Sequence, residues 1–393
     1  MAKPYVIDQL EDTRVPFLRG ILTRSLQEAG LDFERAYALS SSIRSELSSV
    51  PEVTTEQLRE RVLAKLNRID ARLARAYRSP RGVPLRPSIR DYEGQLLPFS
   101  ELTYRRSLEA SGVDLETATT MARQLLEYLL ASRREVISSA VLGRLTHAWL
   151  RRSQGGKAAH RYLVWVDYRQ QGRPVILLIG GTPGCGKSTI AAELANRLEI
   201  PRIQSTDMLR EVMRMLIPER LLPLLHQSSF NAWRALATAA EHREGDVEVL
   251  ADGYRSQAEL VAVPCEAVIQ RALRERVSLI LEGVHIEPGL HQRINLRGGA
   301  VVVPITLAVF RSKQLRHRFS RRSQRAEERP LESYEENFEA IWALQSYLVD
   351  EADRCNVSIV SNDVKEGAVH EIMTIVVDAL AEDFHKTPRQ VFR

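Results

Sequence analysis

The sequence predicts an α/β domain with a parallel sheet and helices on both faces, preceded by two mainly helical modules. Three observations carry this prediction. From residue 174 onward, short apolar runs alternate with helical patterns, which is typical of a parallel sheet whose strands are buried on both faces. A glycine-rich loop separates the first apolar run from a helix. An internal repeat occupies the first 150 residues.

The repeat lies in residues 16–47 and 98–129. The first copy begins PFLRGILTRSLQEAGLDFERA and the second PFSELTYRRSLEASGVDLETA. Arg24 and Ser25 of the first copy match Arg106 and Ser107 of the second. The period exceeds that of most stacked repeats. We therefore expect two small modules, residues 1–83 and 84–150.

Helical periodicity dominates each module. In the first, Thr54 and Gln57 have the spacing of a capping box, which predicts that a helix begins there. Strand-like pieces, Tyr5–Ile7 and Ser88–Asp91, precede the two copies. We predict three further segments: a polar, basic linker at residues 151–173, the α/β domain at 174–383 and a loose tail at 384–393.

Composition excludes several classes of protein. The 393 residues contain no apolar run long enough to span a membrane, and the N-terminus lacks an apolar signal-peptide core. The three cysteines form neither a zinc-ligand pattern nor a disulfide framework. These features predict a cytoplasmic protein with no membrane partner. The net charge of +5 is too small to indicate a nucleic-acid partner.

The strongest chemical signal follows the apolar run Val175–Ile179. Residues 181–188 match the pattern G-x-x-x-x-G-K-[ST], and a helical pattern follows. Backbone N–H groups of such a loop, with the helix N-terminus, surround nucleotide phosphates. We expect ATP and Mg²⁺, with Lys187 on the β/γ phosphates and Ser188 on the metal. The expected nucleotide-binding residues are Gly181, Thr182, Pro183, Gly184, Cys185, Gly186, Lys187, Ser188 and Thr189.

Polar side chains follow two further strands of the expected sheet. Asp207 follows the strand around Ile203, where it could accept a proton, orient Mg²⁺ or cap a helix. Glu282 ends the apolar run Leu279–Leu281, where it could hold Mg²⁺ or form a structural ion pair. His285 comes three residues later, as a substrate-binding candidate or a structural histidine.

A basic segment, residues 311–329, follows the strand expected at Ile305–Phe310. It holds eight arginines and lysines against two glutamates, a net charge of +6. The rest of the chain therefore has a net charge of −1, since the whole chain has +5. Arginines can stabilise charge on a transferring phosphoryl group, although a charge run can also be a solvated helix face. The lid candidates are Arg318, Arg322 and Arg325.

Three other arginines could clamp an anionic acceptor. Arg210 and Arg214 share a helix face after Asp207, and Arg255 falls in an expected loop after Asp252-Gly253-Tyr254. Surface salt bridges are the alternative role for all three.

Residues 174–363 resemble the archaeal-type 2-phosphoglycerate kinases. The resemblance rests on GGTPGCGKSTIAAELANRLEIPRIQSTDMLREVMR, LLPLLHQSSFNAWRAL, ILEGVHIEPG and the segment from HRFSRRSQ to VSIVSND. It implies a kinase domain with an arginine lid that uses ATP and Mg²⁺ to convert 2-phosphoglycerate into 2,3-bisphosphoglycerate. Lys187, Asp207 and the lid arginines would then be catalytic, and Ser188 and Glu282 would hold the metal.

Residues 1–150 resemble two ATP-cone modules, which bind adenine nucleotides in other enzymes. Neither copy has the complete Lys-Arg-x-Gly turn of that family, so nucleotide binding, docking and oligomerisation all stay open for the modules. Two other functions also stay open for the whole chain. One is a kinase for another small anionic hydroxyl compound, such as a sugar acid or polyol phosphate, and the other is a nucleotide-sensing regulatory protein. An RNA-binding role is disfavoured, since Phe319 is the only aromatic residue within 311–329.

Overall fold

The computed structural model describes residues 4–8, 13–78, 87–132, 136–236, 247–293, 299–323 and 336–393. The chain divides into two compact units, Met1–Arg86 and Pro87–Arg393. The first copy of the repeat therefore forms a unit by itself, and the second copy belongs to the same unit as the parallel sheet.

The first unit packs helices on a three-stranded sheet. Strand β1 lies between an antiparallel neighbour, β2, and a parallel neighbour, β3. Thr54 accepts a hydrogen bond from the Gln57 backbone N–H at 3.1 Å, and the Gln57 side chain accepts one from Thr54. The predicted capping box is thus confirmed. The elements are β1 (Tyr5–Asp8), β2 (Thr13–Pro16), α1 (Arg19–Glu28), α2 (Phe33–Glu46), a 3₁₀ turn (Leu47–Ser49), β3 (Glu52–Thr54), α3 (Thr55–Ile69) and α4 (Ala71–Arg78).

The second copy repeats this topology. Its central strand again pairs antiparallel with the second strand and parallel with the third. The sequence indicated only the first strand of each copy, because the others are too short for a clear two-residue alternation. The elements are β4 (Ser88–Arg90), β5 (Leu96–Pro98), α5 (Glu101–Ala110), α6 (Leu115–Ala131), β6 (Val136–Ser138) and α7 (Ser139–Ser153).

The segment expected to be a linker, 151–173, is instead largely helical. Helix α8 (Gly156–Gln171) buries Tyr162, Leu163 and Trp165. Trp165 belongs to the core of the parallel sheet, and Tyr162 belongs to the core of the second copy. The basic start of the segment obscured this apolar stretch, which fills the space between the two cores.

The residues expected to form a loose tail, 384–393, are also packed. Helix α16 (Pro388–Val391) is followed by Phe392, whose side chain is 2% exposed. The Phe392 ring lies against α7, where a Cβ added at Gly143 would come within 2.4 Å of it. Arg144 of α7 also donates a hydrogen bond to the Phe392 carbonyl at 2.8 Å. The C-terminus is therefore part of the core of the second copy.

The α/β part contains a five-stranded sheet in which every neighbouring pair is parallel, as predicted. The strand order is β11-β10-β7-β9-β8. Alternate residues of β7 enter two separate cores, Leu177 and Ile179 on one face and Ile176 and Leu178 on the other. The strands are β7 (Val175–Gly180), β8 (Arg202–Ser205), β9 (Leu279–Glu282), β10 (Val301–Ala308) and β11 (Ser358–Ser361).

Helices cover both faces of this sheet. After β7 the chain first adds strands on one side of β7 and later adds strands on the other side. In open α/β sheets, ligands bind at the carboxyl ends of the strands where the strand order reverses in this way. Among the described residues, no helix is long and apolar enough to cross a membrane. The helices are α9 (Lys187–Arg197), α10 (Thr206–Leu216), α11 (Val247–Glu275), α12 (Leu290–Arg293), α13 (Ser312–Ser323), α14 (Phe338–Arg354) and α15 (Lys365–Ala381), with 3₁₀ turns at Pro223–His226 and Ala232–Ala235.

Candidate active site

The glycine-rich loop connects β7 to α9 at the carboxyl edge of the sheet. Gly184 and Gly186 have φ values of +81° and +94°, in the left-handed region that favours glycine. A Cβ on Gly184 would come within 2.4 Å of the Phe319 ring, and one on Gly186 within 2.5 Å of Asn362 Nδ2. Close packing of α13 and the end of β11 thus requires glycine at both positions.

Lys187 is the first residue of α9 and is 9% exposed. Its Nζ donates a hydrogen bond to the Thr182 carbonyl at 2.8 Å, so the ammonium group lies within the curve of the loop. The buried Thr182 Oγ1 has no hydrogen-bond partner within the described part of the chain. A cation and an unsatisfied hydroxyl inside a curved backbone fit the oxygen atoms of a nucleotide phosphate.

Ser188 and Glu282 meet at the carboxyl edge of the sheet. Ser188 Oγ donates a hydrogen bond to Glu282 Oε1 at 2.9 Å, and Glu282 is 4% exposed at the end of β9. A hydroxyl and a carboxylate are oxygen ligands that Mg²⁺ accepts. Within the described ranges, no group of three His, Cys, Asp or Glu side chains could hold a metal. A metal at the Ser188–Glu282 pair would need further ligands from a nucleotide and water.

Asp207 lies in the first turn of α10, which follows β8, the neighbour of the strand that ends in Glu282. The alternative role of helix cap belongs to Ser205, whose Oγ accepts a hydrogen bond from the Asp207 backbone N–H at 3.2 Å. The Asp207 side chain is 48% exposed, and its Oδ1 lies 3.9 Å from His285 Nδ1. A carboxylate in this position can accept the proton of an incoming hydroxyl group.

His285 is 1% exposed and lies between two polar side chains. Its Nδ1 is 3.1 Å from Thr206 Oγ1, and its Nε2 is 3.1 Å from Gln257 Oε1. Burial lowers the pKa of His285 to about 3, with a smaller opposing effect from Asp207. The ring is therefore neutral near pH 7, and its direct partners are protein side chains.

The predicted lid arginines fall partly outside the described residues. Arg325 lies outside them, and the side chain of Arg322 is also not described. Arg318 donates hydrogen bonds to the carbonyl oxygens of Cys185, at 3.0 Å, and Asn362. Burial lowers the pKa of Arg318 below its ordinary value. Its guanidinium group thus contacts the backbone of the glycine-rich loop.

The three candidate clamp arginines have separate surroundings. Arg210 donates a hydrogen bond to the Gln227 carbonyl, and Arg214 pairs with Glu211. Arg255 lies in helix α11 and pairs with Asp252 at 2.8 Å. The expected loop at Arg255 was wrong, because Asp252, Gly253 and Tyr254 lie inside helix α11, where Gly253 packs closely against Trp233. Of the three, Arg210 is near enough to His285 to affect its pKa.

Three residues that the sequence analysis did not select complete the site. Thr206 and Gln257 hold His285, and Asn362 Nδ2 donates a hydrogen bond to the Cys185 carbonyl at 2.7 Å. Asn362 directly follows β11, so its position after a strand was an available signal. Gln257 was detectable only as a polar residue within an apolar helical pattern.

Comparisons with known proteins show which families this chain resembles. A family model described as an AAA domain matches residues 180–281. The 2-phosphoglycerate kinase of Pyrococcus horikoshii is 34% identical over 286 residues, which cover 73% of this chain and 92% of that protein. That of Methanococcus vannielii is 34% identical over 75% of this chain and 92% of the relative. That of Methanothermobacter thermautotrophicus is 36% identical over 67% and 85%.

Proposed function

The chain belongs to the 2-phosphoglycerate kinase family, and from this premise we propose how its residues transfer a phosphoryl group from ATP to 2-phosphoglycerate. The oxygen of the substrate's free hydroxyl attacks the γ-phosphorus, the bond from that phosphorus to the β,γ-bridging oxygen breaks, and ADP leaves. The products are ADP and 2,3-bisphosphoglycerate. The observation that carries this proposal is that Asp207 and the Ser188–Glu282 pair lie at the carboxyl edge of one sheet.

The glycine-rich loop is the proposed donor half of the site. Backbone N–H groups of residues 181–189, apart from Pro183, which has none, and the Lys187 ammonium group would hold the phosphates of ATP. Ser188 and Glu282 would hold Mg²⁺, which neutralises charge that develops during transfer. A buried carboxylate within 2.9 Å of the loop serine supports this assignment.

Asp207 is the proposed base, which takes the proton of the attacking hydroxyl. Its half-exposed carboxylate can reach a substrate, in contrast to the buried Glu282. Arg210, on the next turn of α10, is the clamp candidate nearest this group and would pair with an anionic group of the acceptor. Arg214 and Arg255 pair with carboxylates of their own helices, and His285 is buried, so we assign these three no acceptor contact.

The basic segment after β10 is the proposed lid. Arg318 contacts the loop backbone, so we assign it a supporting role and leave phosphate contact to Arg322 and Arg325. Arginine charge beside the transferring group would stabilise the transition state.

The second repeat copy is a proposed effector site that resembles an ATP-cone module. A cavity of about 690 Å³ lies between this copy and helices α8 and α9, with Tyr92, Arg106 and Trp165 in its wall. That volume suits a nucleotide-sized ligand, and Arg106 is one of the residues repeated between the copies. Equilibrium dialysis with labelled ATP tests this role. Binding that persists in Lys187→Ala and is lost in the double variant with Arg106→Ala supports it, and no residual binding in Lys187→Ala contradicts it.

A panel of acceptors tests the proposed reaction. Purified protein with ATP and Mg²⁺ is supplied with 2-phosphoglycerate, 3-phosphoglycerate, glycerate or glycerol 3-phosphate, and both ADP and the phosphorylated product are measured. We expect 2,3-bisphosphoglycerate from the first compound, and product formation reduced at least about a thousandfold in Asp207→Asn. ADP release that is no faster with 2-phosphoglycerate than with water would refute the proposed acceptor.

A further inference from the structure

Gln257 is a fully buried polar side chain in the middle of helix α11. Its Nε2 donates hydrogen bonds to the carbonyl oxygens of Leu224, at 2.6 Å, and Gln227, at 3.0 Å. Reversal of the amide would place its oxygen against both carbonyl oxygens, with the loss of both hydrogen bonds. The two carbonyls therefore fix the orientation of the Gln257 amide, with Oε1 on the side of His285.

The orientation of Gln257 fixes the tautomer of His285. Oε1 lies 3.1 Å from His285 Nε2, and an amide oxygen can only accept a hydrogen bond. Nε2 must therefore carry the hydrogen atom. Because the buried ring is neutral, Nδ1 has a free electron pair and accepts the hydroxyl hydrogen of Thr206 at 3.1 Å.

This tautomer has a consequence for Asp207. The carboxylate oxygen lies 3.9 Å from Nδ1, and an Nδ1 without hydrogen cannot donate to it. A protonated or reversed ring would place an N–H group on that side and would stabilise the carboxylate against accepting another proton. The charged groups that act on His285 are Asp207, Arg210 and Lys187.

We propose that Gln257 is a positioning residue for phosphoryl transfer, which holds His285 in the Nε2–H form so that the ring places neither an N–H group nor a positive charge beside the Asp207 carboxylate. The proposal rests on the proposed role of Asp207 as the base. The chain of contacts runs from two backbone carbonyls through Gln257 and His285 to the first turn of α10, where Thr206 adjoins Asp207.

The variant Gln257→Glu tests this chain of contacts. A carboxylate beside Nε2–H favours the imidazolium form, whose positive charge lies beside the Asp207 carboxylate and would make it a weaker base. We expect kcat at pH 6.5 to fall roughly tenfold or more and to recover as the pH rises through the new pKa of His285. The Kd for ATP should stay unchanged. Gln270→Glu, which adds the same charge to the same helix, should leave the pH profile of kcat as in the wild type.

Substitution of Thr206 provides a second test, since Gln257→Glu also removes two hydrogen bonds from backbone carbonyls. Thr206→Val keeps the shape of the side chain and removes the donor to Nδ1, whereas Thr206→Ser keeps the hydroxyl. We expect kcat to fall in the valine variant and to be largely restored in the serine variant. Equal losses of kcat in both variants would contradict the proposal.

Imidazole ¹⁵N NMR reads the tautomer directly, with the His285 signals identified by their loss in His285→Gln. We expect Nε2–H in the wild type from pH 5 to 8 and no titration of that ring. Turnover of 2-phosphoglycerate with the opposite tautomer would refute the positioning role alone. The expected tautomer without turnover of any acceptor would refute the proposed function and, with it, the role of Gln257 in catalysis.

Discussion

Removal of the Arg318 guanidinium group is expected to weaken ATP binding more than it slows the chemical step. Arg318 donates to the Cys185 carbonyl at 3.0 Å and to the Asn362 carbonyl. A hydrogen bond from a charged group contributes about 1.5–3 kcal/mol. The Cys185 carbonyl keeps its bond from Asn362 Nδ2 at 2.7 Å, so the lower end of this range applies. Arg318→Ala should then raise the Kd for ATP about tenfold.

Calorimetric titration with a non-hydrolysable ATP analogue measures this change in Kd. Arg316→Ala is the matched control, because Arg316 lies on the same helix and pairs with the exposed Glu339 at 3.0 Å. Asn362→Ala should show coupling with Arg318→Ala, since both side chains donate to one carbonyl oxygen. An unchanged Kd together with a kcat reduced about a thousandfold would refute the supporting role, because that result is expected of an arginine that contacts the transferring phosphoryl group.

Three further predictions concern the loop, the buried histidine and the C-terminus. Gly184→Ala should abolish detectable ATP binding, because its φ of +81° costs about 1–2 kcal/mol and its Cβ would contact Phe319; added Phe319→Leu should recover only part of the affinity, as titration can show. Between pH 6.5 and about 3 the unfolded chain binds a proton that folded His285 does not, so stability should fall as the pH falls. Denaturant titrations at several pH values should show that His285→Gln removes this contribution. An unaltered dependence of the free energy of unfolding on pH in that variant would contradict the prediction. Phe392→Ala should lower the free energy of unfolding by about 3–5 kcal/mol, and a change below about 1 kcal/mol would contradict its place in the core.

The arrangement of the proposed donor half was predictable because its residues are local in sequence or follow parallel strands. The pattern from Gly181 to Ser188 encodes a loop and a helix start within one segment. The contact between Ser188 and Glu282 follows from sheet topology, since the carboxyl ends of neighbouring parallel strands meet at one edge. No tertiary detail was needed beyond the assignment of those strands.

The supporting residues were not predictable in the same way. Asn362 contacts Cys185 across 177 residues of sequence, and its role depends on the position of β11 two strands away from β7. Gln257 depends on carbonyl oxygens of an irregular segment, for which periodicity provides no signal. Arg318 lies in a segment whose charge indicated phosphate contact, whereas burial and two backbone carbonyls determine where its side chain lies.

The repeat shows a different limit of sequence reasoning. Matching residues predicted two equal copies, and both copies do have the same strand order. Glu109 of the second copy, where the first has Gln27, is a buried carboxylate 3.4 Å from Arg197 of α9. Burial raises the pKa of Glu109, and the positive charges of Arg197 on α9 and of Arg105 in its own helix oppose that rise. The packing of the second copy against the nucleotide-binding helix therefore depends on residues that differ between the copies, which the matches that reveal a repeat cannot identify.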